Sequence, residues 1–259
     1  MNVEQCPYRE TKCQDLICPC AKFTAYIDVQ DPKIVNEELE QLGITSDMNK
    51  WGKIYNMQKH FAERFHTTKD ITKDLTDHWV KEYAICIEDE IGEIFDYIKL
   101  ADEQRVSKTD SKELKKEVID VLHFVMDVMI ASGIDSHNLL NKYITQYNIT
   151  LKNDILDDIF QFAKSENDRI YSAVNPNAAL ITLVIRLLLV NRELRQQISW
   201  KHWKKPNDSI NYEKLNDVCV MLFHRFMLIS AYLFNNADEM INMYIIKNVE
   251  NIRRQKHGY

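Results

Sequence analysis

Between Leu75 and Leu100, apolar residues recur at Tyr83, Ile87, Ile91, Ile94 and Ile98, the spacing of one face of an α-helix. A second run, from Lys112 to Ser132, repeats the rhythm at Leu114, Val118, Val121, Val125 and Met129 and stops at Gly133. Each run carries two carboxylates three residues apart beside its apolar stripe: Glu90 and Glu93 in the first, Glu117 and Asp120 in the second. Such a spacing puts both acids of a pair on one helical face, one turn apart. The pattern predicts two neighbouring helices with four acids bordering a buried seam.

The remaining elements are also helical in period. Asp31-Pro32 to Gly43 predicts a short helix, and Thr45, Ser46 and Asp47 are N-cap candidates for the next, about Asp47 to Phe65. On that helix Trp51, Ile54, Tyr55, Gln58, Phe61 and Phe65 share a face, so an amide sits within an aromatic stripe. Gln58 is then either a core glutamine bonded to backbone or one that reads a ligand. Ser136 is read as the cap of a helix reaching about Lys164, broken near Tyr147 or Asn153. Asn175-Pro176-Asn177 marks a clear joint, after which the first half returns in eroded form. Val184–Leu194 echoes the first acidic run and Tyr212–Phe223 the second, with Val190 in place of Glu90 and Lys214 in place of Glu117, while Glu193 and Asp217 keep the acidic character of Glu93 and Asp120. We therefore expect an all-α protein: a helical bundle whose four-helix core combines one active and one degenerate helical hairpin.

Composition sharpens this picture. Only five Gly and five Pro occur in 259 residues, too few turn formers for many short strands. The formal charge of −6 argues against a nucleic-acid partner, and no apolar run reaches membrane-spanning length, the longest, Ala178–Val190, being interrupted by Arg186. The first residues include Glu4, Arg9, Glu10 and Asp15 and lack the apolar region of a signal peptide, so an intracellular (cytoplasmic) protein is expected. Residues 1–45 read as an arm with Cys6, Cys13, Cys18 and Cys20, whose spacing fits no common zinc module, and residues 46–259 as the catalytic domain. Cys86 and Cys219 read as small core residues. The basic and aromatic run Trp200–Pro206 either holds a ligand or anchors a loop.

Crowded carboxylates beside an apolar seam repel one another and lose hydration, and a hard divalent cation such as Mg²⁺ removes both costs. The alternative is that the acids form the solvated edge of two amphipathic helices. Near the end of the chain Lys247, Asn251 and Arg254 fall on one helical face, followed by Gly258 and Tyr259. Lysine and arginine so placed suit adjacent phosphates, on a terminal helix expected to have few buried neighbours and unpaired cations. A surface helix with ordinary ion pairs is the other reading.

Together these motifs resemble the dimeric, all-α dUTPases, relatives of the MazG-type nucleotide pyrophosphohydrolases. They are Asn56-Met57-Gln58, the E-x-x-E of Glu90 to Glu93, the E-x-x-D-x-L-H-F of Glu117 to Phe124, and the closing K-N-x-x-N-x-x-R-Q-x-x-G-Y of Lys247 to Tyr259. The resemblance spans Gln58 to Tyr259. It implies Mg²⁺ at Glu90, Glu93, Glu117 and Asp120, with Asp120 also near the sugar hydroxyl and Glu90 as the catalytic residue that orients or deprotonates water. It implies Gln58 and Asn251 at the base and nucleoside, and Lys247, Arg254 and Tyr259 at the phosphates. The implied activity is hydrolysis of dUTP, and of dUDP, to dUMP by a homodimer, keeping uracil out of DNA. The chain departs from the family in two places: the W-K-x-W-K run that usually follows E-x-x-E is here Ile98-Lys99-Leu100-Ala101-Asp102, and Ala62 and Glu63 stand where asparagine is common. Both bear on the base, leaving a dCTP or broader dNTP pyrophosphatase as the alternative. A di-iron carboxylate protein would need a second carboxylate-x-x-His to match Asp120 and His123, and the echo offers Val220 instead. A non-catalytic helical binding protein is the remaining class.

Overall fold

The helical rhythm is realised throughout the residues that this computed structural model describes, 31–65, 73–102, 112–198 and 210–256. Among them the elements are α1 (Pro32–Gln41), α2 (Lys50–Phe65), α3 (Lys73–Asp102), α4 (Lys112–Ala131), α5 (Ser136–Tyr147), α6 (Ile155–Tyr171), α7 (Pro176–Gln196), α8 (Tyr212–Leu233) and α9 (Ala237–Lys256), with no strand. The fold is all-α. The cysteines of the first 30 residues, the Trp200–Pro206 run and Tyr259 lie outside the described residues.

All ten apolar positions of the two acidic runs are buried, the most exposed being Leu114 at 8%. Burying one such side chain stabilises by about 1.5–3 kcal/mol, so this seam sets how α3 and α4 lie against each other. The echoed pair packs likewise, α7 on α8, and the two hairpins join through α3 on α7 and α4 on α8 into a four-helix core. Each hairpin's second helix carries two flanking helices, α2 and α9 on α4, and α5 and α6 on α8. Phe223 of α8 bridges the halves, its ring 5.1 Å from that of Trp51 and 5.4 Å from that of Tyr143. Cys219 is buried as expected, whereas Cys86 is only partly so.

Several boundaries differ from the sequence reading. The amide of Gly52 is capped by Asn49 Oδ1 rather than by Thr45, Ser46 or Asp47. Asp135, not Ser136, caps α5, its carboxylate taking the amides of His137 and Asn138 at 3.0 Å; a charged acceptor at a helix N-terminus meets both the free amides and the dipole. The break expected near Tyr147 or Asn153 is found, with Asn148 in the left-handed region (φ 52°) and a restart at the Asp154 cap, but the second helix runs on to Tyr171 rather than ending near Lys164. The terminal helix is not peripheral: α9 buries Met240, Ile241, Tyr244, Val249 and Ile252 against α2, α4, α6 and α1. Its end is held to α1 by Lys256 Nζ on Glu38 at 2.7 Å.

The hairpins are also joined by polar bonds. Asn191 Nδ2 donates to the carbonyl of Ala84 at 2.7 Å, and one turn on Arg195 pairs with Glu88 at 2.5 Å. Asn191 is fully buried, so its bond is made without competition from water. Asn191→Ala should lower stability by about 1–3 kcal/mol, read as a fall in the thermal midpoint, with the helical circular dichroism retained.

Candidate active site

Three of the four predicted ligands converge. Glu90 and Glu93 on α3 and Glu117 on α4 each offer a carboxylate oxygen, and these oxygens lie within 4.8 Å of one another. The cause is local: the apolar residues between them are locked in the seam, so their side chains emerge on one edge of the α3–α4 pair. Partial burial is the largest influence on Glu90 and Glu117, followed by repulsion from Asp120 and the other acids, and together they push Glu90 up to about 8 and Glu117 up to about 7. Oxygen-only donors in a crowded, desolvated cluster fit a hard divalent cation.

Asp120 stands differently. Its carboxylate receives Lys247 Nζ at 2.7 Å and lies 3.5 Å from His123 Nδ1. Burial alone would raise its pKa, but the hydrogen bonds and charges of His123 and Lys247 hold it below the usual value. The cations of α9 are thus paired rather than free, contrary to expectation: Lys247 with Asp120, and Arg254 with Glu250.

Beside the carboxylates lies a cavity of about 270 Å³ between α2, α3, α4 and α9. Glu90, Asp120, Lys247, Asn251 and Arg254 line it, with the rings of Phe61 and Phe124 and the buried side chains of Gln58 and Asp127. Five residues assigned from the motifs therefore share one cavity with Gln58, while Glu93 and Glu117 stand outside it in the carboxylate cluster. Gln58 is 1% exposed and held by side chains rather than backbone: its Nε2 donates to Asp127 Oδ1 at 2.8 Å, and its Oε1 accepts from Tyr244 at 2.7 Å and Asn248 at 3.2 Å. Asp127, Tyr244, Asn248 and Phe124 were not singled out as functional residues. Asp127 was detectable, because it follows Asp120 and His123 at i+7 and i+4 on the same face of α4.

The echoed hairpin offers no comparable cluster among the described residues. Asp217 is tied to Lys142 at 2.5 Å, Glu193 is exposed and Val190 is buried. When Asp217 is laid on Asp120, His224 falls at the place of Asp127. Aromatic rings fill the space around it: Tyr147 stacks on it at 4.1 Å, and its Nδ1 lies 3.0 Å from the Tyr143 hydroxyl. Burial pushes His224 down to about 3.

A family model described as dUTPase matches residues 50–259, most of the chain. The chain belongs to the dUTPase family. It is also similar to a protein named dCTP pyrophosphatase from Enterobacteria phage LZ5, 31% identical over 80 residues, covering 27% of this chain and 46% of that protein. The aligned stretch thus spans about half of that relative's length. No solved structure matches. No single helix of this dUTPase-family chain is long and apolar enough to cross a membrane among the described residues.

Folded Glu90 holds its proton to higher pH than an unfolded glutamate, so the cation-free fold loses stability as pH rises from the ordinary carboxylate range through about 8. Without divalent cations, Glu90→Gln should raise the thermal midpoint at pH 9 and leave it unchanged at pH 4. A lower midpoint at pH 9 would show that Glu90 is stabilised in its charged form.

Proposed function

We propose that this member of the dUTPase family is a Mg²⁺-dependent nucleotide pyrophosphohydrolase that converts dUTP to dUMP and pyrophosphate, and dUDP to dUMP and phosphate. The observation that carries this reading is the junction of two features: three mutually repelling carboxylates, and a cavity lined by Lys247, Arg254 and two aromatic rings. Mg²⁺ held by Glu90, Glu93 and Glu117, with Asp120 joining them, would offset the charge of the triphosphate and acidify a water. Glu90 alone of the three also lines the cavity, so it is placed to orient that water or take its proton. Lys247 and Arg254, with Tyr259 beyond the described residues, would hold the phosphates, and Lys247 exchanges some of its contact with Asp120 for substrate oxygens. Asn251 faces the nucleoside. Asp120, which lines the cavity and pairs with Lys247, would serve both the metal and the sugar hydroxyl. The protein would act as an intracellular homodimer.

A second reading is hydrolysis of dCTP, favoured by the likeness to a protein of that name and by the missing W-K-x-W-K run. Pyrophosphate release from dUTP, dCTP, dTTP and dATP, with Mg²⁺ and with chelator, separates the readings. Release from none of them would overturn both. Glu93→Gln and Glu117→Gln should each lower kcat by at least about 100-fold, with unchanged circular dichroism, because an amide of the same shape is a poor Mg²⁺ ligand. Near-normal turnover in both variants would remove the cation from this site.

A further inference from the structure

The cavity is also lined by a buried carboxylate to which the metal reading gives no role. Asp127 is 2% exposed, lines the cavity, and accepts from Gln58 Nε2 through Oδ1. It lies seven residues beyond Asp120 on α4, a rise of about 10 Å, which leaves room for a nucleoside between the two acids. We propose that Asp127 is a base-reading residue: with Gln58 it presents an acceptor beside a donor on the wall of the cavity, and this pair binds the ring edge of a pyrimidine. The inference rests on the nucleotide reading above and adds a specificity-determining group to it.

The orientation of the pair follows from its neighbours. An ionised Asp127 can only accept, so the amide cannot turn over without setting its oxygen against the carboxylate, and Gln58 Oε1 is left to accept from the Tyr244 hydroxyl and Asn248 Nδ2. Its Nε2 must then face Asp127, with one N–H used on Oδ1 and the second left for the cavity. Asn248 also donates to the Tyr244 hydroxyl, at 3.2 Å, and Tyr244 is fully buried, so the holding groups are themselves fixed. The remaining oxygen of Asp127 supplies the acceptor. Phe61 and Phe124 offer apolar walls for a planar ring.

An acceptor beside a donor matches a donor beside an acceptor. Uracil supplies this with N3–H and O4, and cytosine with its N4 amino group and N3, so the native pair admits both bases. Asp127→Asn changes the pattern predictably. Gln58 still donates to the oxygen at position 127, which turns the new NH₂ toward the cavity and leaves two adjacent donors. Cytosine meets two donors with N3 and O2, whereas uracil has no two adjacent acceptors.

The test measures Kd for α,β-imido-dUTP and α,β-imido-dCTP by calorimetry at pH 8.5, above the value of about 7 to which burial raises Asp127. Asp127→Asn should weaken the uracil nucleotide by about 10- to 100-fold and leave the cytosine nucleotide within a few-fold, as expected for one lost hydrogen bond with an unpaired buried group. A variant damaged only in structure would weaken both in parallel, and an unchanged ratio overturns the proposal. Should the variant not fold, wild-type protein is titrated with N3-methyl-dUTP: a loss of at least about 10-fold against dUTP is expected, and equal affinity overturns the proposal. Because binding is read without turnover, a wild type that binds but releases no pyrophosphate would sink the hydrolase reading alone.

Discussion

Charge repulsion held in place by apolar packing organises this molecule. Glu90, Glu93 and Glu117 would separate if their helices could, but Ile87, Ile91, Ile94, Val118 and Val121 are buried beneath them and fix both backbones. Partial burial first and this repulsion second raise the proton affinity of Glu90 and Glu117. Neighbouring groups are arranged around the same field. Lys247 approaches Asp120, which stays ionised, and α9 must pack against α4 for that contact to exist.

Around Gln58 the cavity wall is governed by hydrogen bonds rather than by repulsion. Gln58, Asp127, Tyr244 and Asn248 come from three helices, and the bonds among them hold the Gln58 amide from both sides. Buried networks of this kind are rigid because breaking one bond strands several partners in low dielectric. The echoed hairpin shows the same architecture without the chemistry. There His224 occupies the corresponding position, with Tyr147 stacked on it, the Tyr143 hydroxyl at its Nδ1 and Glu166 3.4 Å from its Nε2.

Much of this was legible in the sequence because it depends on period. Every apolar position assigned to the α3–α4 seam is buried, and the E-x-x-E and E-x-x-D spacings place three acids together because three residues make nearly one turn. Helix starts were less legible, since Asn49 and Asp135 compete with equally plausible caps beside them. The environment of α9 was hidden for another reason. Its polar residues, Tyr244 and Asn248, look like surface positions until α2 supplies an amide to bond them. Lys247 and Arg254 read as free cations for the same reason: Asp120 is remote in sequence, and Glu250, although one turn away, fits equally well with an exposed ion pair.

The bonds from Tyr244 and Asn248 to Gln58 span 186 and 190 residues of chain. The carboxylate hairpin, by contrast, is closed between two consecutive helices, α3 and α4. During synthesis the acids can therefore assemble early, while the opposite wall of the cavity is missing until the final helix is translated. A ribosome-bound intermediate lacking α9 would have a site able to attract cations yet unable to recognise a nucleotide, and its recognition surface would appear in one late docking step.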